Sequence, residues 1–428
     1  MKKTQLTQTI KIKDLGKVIT GTTPPTVNQQ YFGGKYLFIK PSDITEDQRY
    51  IFDTEITLSD AGYEYQKLKV LPKNSISVVC IGTIGKKMCL TSQTCFTNQQ
   101  LNSIVVNKSK YDPLYIYYLM RKYVPYLKQL NAGSTSGREN VNKSSFENIE
   151  IQVHELPTQK KIAGILSAYD DLIENNTRRI KILEEMAQTL YHEWFVKFRF
   201  PGHEHTKMVD SELGLIPEGW EVKQLSEVCQ RITDGSHWSP KSVDKGYPMA
   251  SVKDMSTWGL NVESCRKISQ HDYEKLVRND CKPLKNDILI AKDGNTYLKH
   301  MFVVEKEIDL VILSSIAIVR PNLDNILPYI LVFHLLDPPV KSRLKNYVSG
   351  AAIPRIILKD FAKFPVVVPS IDIQHKFFNI AEAMIKNCHC LIAKNHNLRQ
   401  TRDLLLPKLI SGEIDVEHLE ITTEDIAA

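Results

Sequence analysis

Apolar residues recur along two stretches of the chain at alternating spacings of three and four. Beyond Thr158 they fall at Leu166, Tyr169, Ile173, Ile180, Leu183, Ala187, Leu190 and Trp194, with Asn176 in the same phase. A second stretch holds Ala381, Met384, Cys388, Leu391, Leu398 and Leu405, with Asn395 and Arg402 in phase. Such a heptad seam, held for about four heptads, predicts a long helix with a narrow face made for another helix. Each seam carries one Asn, placed at a different level from the other, and a polar residue there fixes register at a cost in stability. Pro157 suits the start of the first helix; Pro201-Gly202 and then Pro407 with Gly412 are expected to stop the two helices. At ~1.5 Å per residue, helices of about 35–40 residues reach roughly 50–60 Å. Ahead of each helix the pattern changes to short apolar runs bounded by turn residues, at 36–39, 76–81 and 103–106, then at 287–291 and 316–319. These predict strands, and one helical patch per half, at 113–130 and 327–346, makes each half a mixed domain.

The chain also repeats itself. Phe146-Glu147-Asn148-Ile149-Glu150-Ile151 is similar to Phe361-Ala362-Lys363-Phe364-Pro365-Val366, at an offset of 215 residues. At that offset Gln159 meets Gln374, Lys161 meets Lys376 and Ile162 meets Phe377. Further back, with small insertions, Lys13-Asp14-Leu15-Gly16-Lys17-Val18 matches Lys223-Gln224-Leu225-Ser226-Glu227-Val228, and Ser42-Asp43-Ile44 matches Lys253-Asp254-Met255. Leu71-Pro72-Lys73-Asn74-Ser75-Ile76 matches Pro283-Leu284-Lys285-Asn286-Asp287-Ile288. The shared order marks a tandem duplication. The expected fold is α+β: two mixed α/β domains joined by two long helices. The helices pack separately on their own domains or pair with each other. The matched seams favour one antiparallel intramolecular coiled coil, which relates the halves by a pseudo-two-fold axis. The boundaries follow as a first domain over 1–157, a first long helix over 158–200, a linker and second domain over 201–370, and a second long helix with an acidic tail over 371–428.

Composition narrows the class. The 428 residues are 42% hydrophobic and 24% charged, as in globular proteins and unlike disordered or collagen-like chains. No apolar run approaches the ~18–20 residues that span a bilayer. Met1-Lys2-Lys3-Thr4-Gln5-Leu6-Thr7-Gln8 offers no apolar stretch for a secretory signal, so a cytoplasmic location is expected. The eight cysteines include no C-x-x-C pair, and Cys388-His389-Cys390 cannot converge on one face of a helix, so no metal site is expected. Net charge is +6, and residues 1–155 hold 20 Lys+Arg against 13 Asp+Glu, a surface suited to a polyanion.

Three runs resemble the specificity subunits of Type I restriction–modification systems. One is Glu155-Leu156-Pro157-Thr158-Gln159-Lys160-Lys161-Ile162, where the first helix begins. The second is Tyr191-His192-Glu193-Trp194-Phe195-Val196-Lys197-Phe198-Arg199-Phe200-Pro201-Gly202 with Gly214-Leu215-Ile216-Pro217-Glu218-Gly219-Trp220. The third is Leu404-Leu405-Leu406-Pro407-Lys408-Leu409-Ile410-Ser411-Gly412-Glu413-Ile414. The resemblance implies two target-recognition domains, each reading one half of a bipartite DNA site. The helices would set the spacing and dock two methylation subunits, with restriction subunits in the full complex. It also implies no catalysis by this chain and no cofactor bound by it; S-adenosylmethionine, ATP and Mg belong on the partner subunits.

The residues agree that chemistry lies elsewhere. Asp337-Pro338-Pro339-Val340 is similar to the tetrad of amino-methyltransferases, but Val340 replaces the aromatic that stacks on a flipped base, and the run reads as a helix-ending turn. Gly82-Thr83-Ile84-Gly85-Lys86-Lys87 lacks phosphate-loop spacing yet can set backbone amides and two lysines against phosphates. His203 and His205 read as surface residues of a linker. Base reading needs forked donors and acceptors on loops held by a rigid scaffold. The candidates in the first domain are Thr22, Thr23, Lys40, Ser42, Lys86, Lys87, Asn98, Gln99, Gln100, Ser136 and Arg138. In the second they are Ser236, His237, Lys253, Lys292, Asn295 and Arg355. The neighbouring glycines, Gly21 and Gly235, are expected to serve turns. The competing reading is a single-chain DNA methyltransferase or nuclease, which the missing cofactor loop argues against. Another is an adapter that binds DNA without recruiting a modification enzyme.

Overall fold

The computed structural model describes residues 7–45, 48–130, 140–294, 297–349 and 354–419. They form two compact units, one of the described residues up to 178 with those from 392 onward, and one of those between 179 and 391. The units do not follow chain order because each takes a part of both long helices.

In the first unit the apolar runs become the centre of a five-stranded sheet. Its order is Gly16–Thr20, Leu101–Val106, Ile76–Val79, Met88–Thr91 and Tyr50–Ile51, antiparallel except for the last pair. Ile76–Val79 is buried at every position, which is why it reads as a continuous apolar run and not as an alternation. A second sheet sets Phe32–Ile39 antiparallel to Thr57–Leu58 and parallel to Cys95–Thr97. Helix Pro113–Tyr123 starts at Asp112, whose side chain accepts from the Tyr115 amide, with proline in its first turn. It buries Tyr115, Ile116, Tyr118 and Leu119 in one core with Ile76, Val78 and Leu90.

The second unit repeats the plan. Cys229–Asp234, Ile316–Pro321, Ile288–Ala291 and Met301–Val303 form an antiparallel sheet. Tyr247–Ala250 lies antiparallel to Arg266–Ile268 and parallel to Val311–Ile312. The duplication extends to single hydrogen bonds. Asp43 accepts from the Lys40 amide at 2.7 Å, and Asp254 accepts from the Ser251 amide at 2.8 Å. Asn74 and Asn286 both take left-handed backbone, with φ of 69° and 72°. Buried Gln159 accepts from the Asp112 amide at 2.8 Å and donates to the His154 carbonyl at 2.7 Å. Buried Gln374 accepts from the Leu327 amide at 2.8 Å and donates to the Pro369 carbonyl at 2.9 Å. All three residues of each clamp are separated by the same 215 positions. Each glutamine ties the start of a long helix to the start of the helix packed on its sheet.

The patch at 327–346 is not one helix. It divides into Pro328–Leu336 and Pro338–Leu344, because Pro338 and Pro339 lack the amides that would continue the first. Asp337 therefore sits in a turn between two helices.

The long helices span Leu156–Tyr191 and Ile371–Ser411, 36 and 41 residues. Within each unit their segments run antiparallel. In the first unit Asn176 Nδ2 donates to Asn395 Oδ1 at 2.9 Å, and Asp170 pairs with Arg402. In the second, Phe377 packs against Tyr191 and Trp194, with ring centroids 6.1 and 5.9 Å apart. Three sequence expectations need correction. The two asparagines are not at different levels: antiparallel pairing brings them face to face. Pro407 does not stop the second helix, which runs on to Ser411 before Gly412 turns left-handed at φ 74°. The burial of Leu409 and Ile410 in the first unit's core holds the helix past the bond that Pro407 cannot make. The first helix leaves α geometry at Tyr191, not at Pro201. A π turn over His192–Val196 and left-handed Phe198 bring Phe195 and Phe200 onto Trp220, with centroids at 5.8 and 5.1 Å.

Among the described residues, no helix is long and apolar enough to cross a membrane. The glutamine clamps give a direct test. Gln159→Ala and Gln374→Ala each strand a backbone amide and a carbonyl, so each should cost about 1–3 kcal/mol in denaturant unfolding. A variant with unchanged stability would show that its clamp contributes nothing.

Candidate functional site

In the first unit, four of the candidate loops meet at one edge of the two sheets. Gly21 follows strand Gly16–Thr20 and its amide donates to the Leu101 carbonyl at 3.2 Å. A Cβ at Gly21 would lie 2.2 Å from the Thr97 carbonyl oxygen and 2.3 Å from that of Asn98. The glycine is there for close backbone approach, and not for the turn expected of it. Thr22 is exposed and its carbonyl accepts from buried Gln66 at 2.8 Å. Thr23 donates to Gln99 Oε1 at 2.7 Å, so two exposed polar side chains from separate loops stand together. Asn98 is buried and braces Gln100: its Nδ2 donates to Gln100 Oε1 at 2.9 Å, and its Oδ1 accepts from the Gln100 amide at 3.0 Å. The Asn98 amide reaches the Ile39 carbonyl at 3.2 Å, which brings in the next loop.

In that loop Lys40 pairs with Glu55 at 2.6 Å, and its hydrogen bond and charge hold the Glu55 carboxyl below the usual range. Ser42 is exposed. Lys87 Nζ donates to the Pro41 carbonyl at 2.8 Å, tying the glycine-rich turn to the same edge. Gly82 and Gly85 are left-handed there, at φ 89° and 80°, so in this run glycine does serve a turn. Exposed Lys86 and half-buried Lys87 line a cleft of about 370 Å³ with Thr45, Gln48, Tyr117 and Arg121. Ser136 and Arg138 lie outside the described residues.

The second unit builds the corresponding edge with different side chains. A Cβ at Gly235 would lie 2.2 Å from the Ile312 carbonyl oxygen, so Gly235 repeats the close approach of Gly21. The Ser236 amide donates to that carbonyl at 2.8 Å and its hydroxyl donates to the Trp238 carbonyl at 2.7 Å. His237 is exposed, with Nε2 at 3.2 Å from Asp234. Lys292 is buried and its ammonium is committed to Asp234, so it organises the edge from behind. Its amide donates to the Ser315 carbonyl at 2.9 Å, and Ser315 Oγ accepts from the Val252 amide at 3.2 Å. That contact fixes the short 3-10 turn carrying exposed Lys253. Arg355 donates to Asp293 Oδ1 at 3.0 Å. Asn295 lies outside the described residues.

Sequence reasoning missed several residues here. Trp238 is 45% exposed, with Lys275 Nζ 4.5 Å above its ring, and presents a flat face beside His237. A second cleft, of about 320 Å³, occupies the same place in the repeat, with Trp258, Lys299, Met301, Leu336 and Lys341 among its lining residues. Lys299 and Met301 stand 213 residues beyond Lys86 and Met88, so the repeat itself was the signal. Burial, then the charges of Lys299 and Lys345, press the Lys341 ammonium below its usual value. Burial with the Lys299 and Lys341 charges does the same to His300. The same lining includes the Glu184 carboxylate and a largely apolar wall of Phe302, Val303, Val332 and Phe333.

Among the described residues, the cysteines beside the first edge are not activated nucleophiles. Burial pushes the Cys80 thiol up to about 11 and Cys95 up to about 12. Among the described residues no group of three or more His, Cys, Asp or Glu could hold a metal.

A duplicated scaffold with unlike side chains on equivalent edges is what a two-part reader requires. The model of the Type I restriction modification DNA specificity domain matches residues 5–185 and again 217–400. The chain belongs to this family. It is a Type I specificity subunit, built from two tandem specificity domains. It is 29% identical over 425 residues to the specificity subunit of the Type I restriction enzyme MjaIX of Methanocaldococcus jannaschii, covering 96% of this chain and 94% of that one. The MjaVIII specificity subunit of the same organism is 24% identical over 435 residues, with the same two coverages. The fold is also that of the Type I restriction–modification S subunit from M. genitalium, with a TM-score of 0.56 at 17% identity over 96% of this chain and 97% of that one.

The glycine-backed edges generate a prediction. Gly21→Ala and Gly235→Ala each force a methyl into a neighbouring carbonyl and should cost about 1–3 kcal/mol in unfolding experiments. Gly259→Ala meets nothing within 4 Å and should be neutral. Tolerance of alanine at position 21 or 235 would show that these candidate loops do not depend on that approach.

Proposed function

We propose that each loop edge reads one half of a bipartite DNA site, and that the two long helices set the gap between the halves. The observation that carries this reading is the pair of equivalent platforms. Gly21-Thr22-Thr23 with Asn98-Gln99-Gln100 stands where the repeat has Gly235-Ser236-His237 with the 313–315 loop, on one scaffold but with different donors and acceptors. Asn and Gln side chains can present a donor and an acceptor to one base edge, and Thr hydroxyls serve either role. Lys86, Lys87 and Arg121 in the first domain, and Lys299 and Lys341 in the second, suit the phosphate backbone, which positions a protein without specifying sequence.

In this reading the partners are double-stranded DNA, two methylation subunits docked along the helices, and restriction subunits in the full complex, working in the cytoplasm. S-adenosylmethionine, ATP and Mg act on those partner subunits. The chain contributes address and spacing.

The test is to exchange one reader. Replacing residues 1–155 with the segment of another family member, while keeping Arg49 and Tyr118 where they meet the first helix, should change one half of the methylated motif in co-expressed complexes. The other half and the gap should stay as they were. A chimaera that altered both halves would contradict independent reading. Methyl transfer from S-adenosylmethionine by the purified chain alone would contradict the division of labour.

A further inference from the structure

We propose that the seam between the long helices accepts only the complementary half of the chain, so that a second copy of the same half cannot take its place. Among the described residues, two buried polar pairs stand in the seam within the first unit. Asp170, 4% exposed, pairs with Arg402, 7% exposed. Tyr118 donates to the other Asp170 oxygen at 2.6 Å. Six residues further on, Asn176 donates to Asn395 Oδ1 at 2.9 Å, and Asn395 donates back to the Ile173 carbonyl at 3.2 Å.

The repeat does not preserve these pairs. The 215-residue offset carries Asp170 onto Ile385 and Arg402 onto Ala187. It carries Asn176 onto Leu391, Asn395 onto Ile180 and Tyr118 onto Phe333. The corresponding levels in the second unit are therefore apolar, and Ala187, Phe333 and Ile385 share one buried core there. Two helices of common ancestry have become complementary at one end and hydrophobic at the other.

Pairing by like halves then fails for a definite reason. If the first helix met another first helix in the same register, Asp170 would face Ala187 and Asn176 would face Ile180, each twice. If the second met another second, Arg402 would face Ile385 and Asn395 would face Leu391. Either arrangement buries charge and amide without their partners, whereas the native pairing gives Asp170, Arg402, Asn176 and Asn395 each a partner. Joined to the function proposed above, this rule makes the two readers of one complex always unlike. The rule itself does not depend on DNA.

It can be read without DNA as well. A protease site is placed at exposed Glu204 and His205 of the full chain, the ends carry different tags, and native mass spectrometry follows partner exchange after cutting. Unlike halves should outnumber like halves by about 100-fold or more, given the penalty for stranding a buried charge. A chain with Asp170→Ile, Asn176→Leu, Asn395→Ile and Arg402→Ala has the same apolar levels at both ends and should yield all three pairings in near-statistical proportion. A statistical mixture from the unsubstituted chain would overturn the proposal. Should cut halves precipitate, the uncut chain decides through Asp170→Ile, Arg402→Ala and the double variant. Each single change should destabilise more than both together, and strictly additive losses would overturn it.

Discussion

The buried ion pair of Asp170 with Arg402 fixes how the first unit is assembled. A helix seam of leucines and isoleucines can slide by a heptad at little cost, but a buried carboxylate and guanidinium cannot be displaced from each other without stranding two charges. Burial opposes the charge on Arg402, yet the Asp170 carboxylate holds its guanidinium above the usual value. Tyr118 and Arg49 extend the pair into the recognition domain: Tyr118 donates to Asp170, and Arg49 binds Asp171 and, at 3.3 Å, Glu174. One network thus sets the register of two helix segments and the seat of the sheet domain on them. In the second unit the same seat is made by aromatic packing, with Tyr191, Trp194, Phe195 and Phe377 in one core, and by the indole of Trp258 donating to Glu184.

That rigidity is what a specificity subunit needs. Sequence is discriminated by groups held within hydrogen-bonding reach of base edges, so loops gain selectivity from what lies behind them. Gly21 and Gly235 bring their loops against neighbouring strands, Gln66 holds Thr22, and Lys292 with Asp234 stiffens the second edge from within. The exposed groups then differ freely between the two domains without disturbing the scaffold.

Much of this was legible in the sequence because it is periodic. The heptad seams gave both long helices, and the 215-residue offset gave two domains of one design. The candidate runs at Thr22, Lys40, Lys87 and Gln99 do converge on one edge, since each stands at a strand end, although of those strands only Phe32–Ile39 and Leu101–Val106 showed as apolar runs. What was not legible depends on partners distant in sequence. The facing of Asn176 and Asn395 depends on the stagger of the antiparallel pair, which no local pattern states. The continuation past Pro407 follows from burial of Leu409 and Ile410 in a domain more than 200 residues earlier. The commitment of Lys292 to Asp234 removes from the surface a lysine that its loop position seemed to offer.

In the function proposed above, helix length at fixed register determines the spacing of the recognised site. Seven residues added between Arg178 and Arg179 and seven between Leu391 and Ile392 lengthen both helices by two turns and keep the heptad phase. At ~1.5 Å per residue this adds roughly 10 Å, about three base pairs of B-DNA. Sequencing the methylated motif of the lengthened subunit, co-expressed with its methylation partners, should find both half-sequences unchanged and the gap wider by about three base pairs. An active complex with an unaltered gap would mean that the helices do not set the spacing.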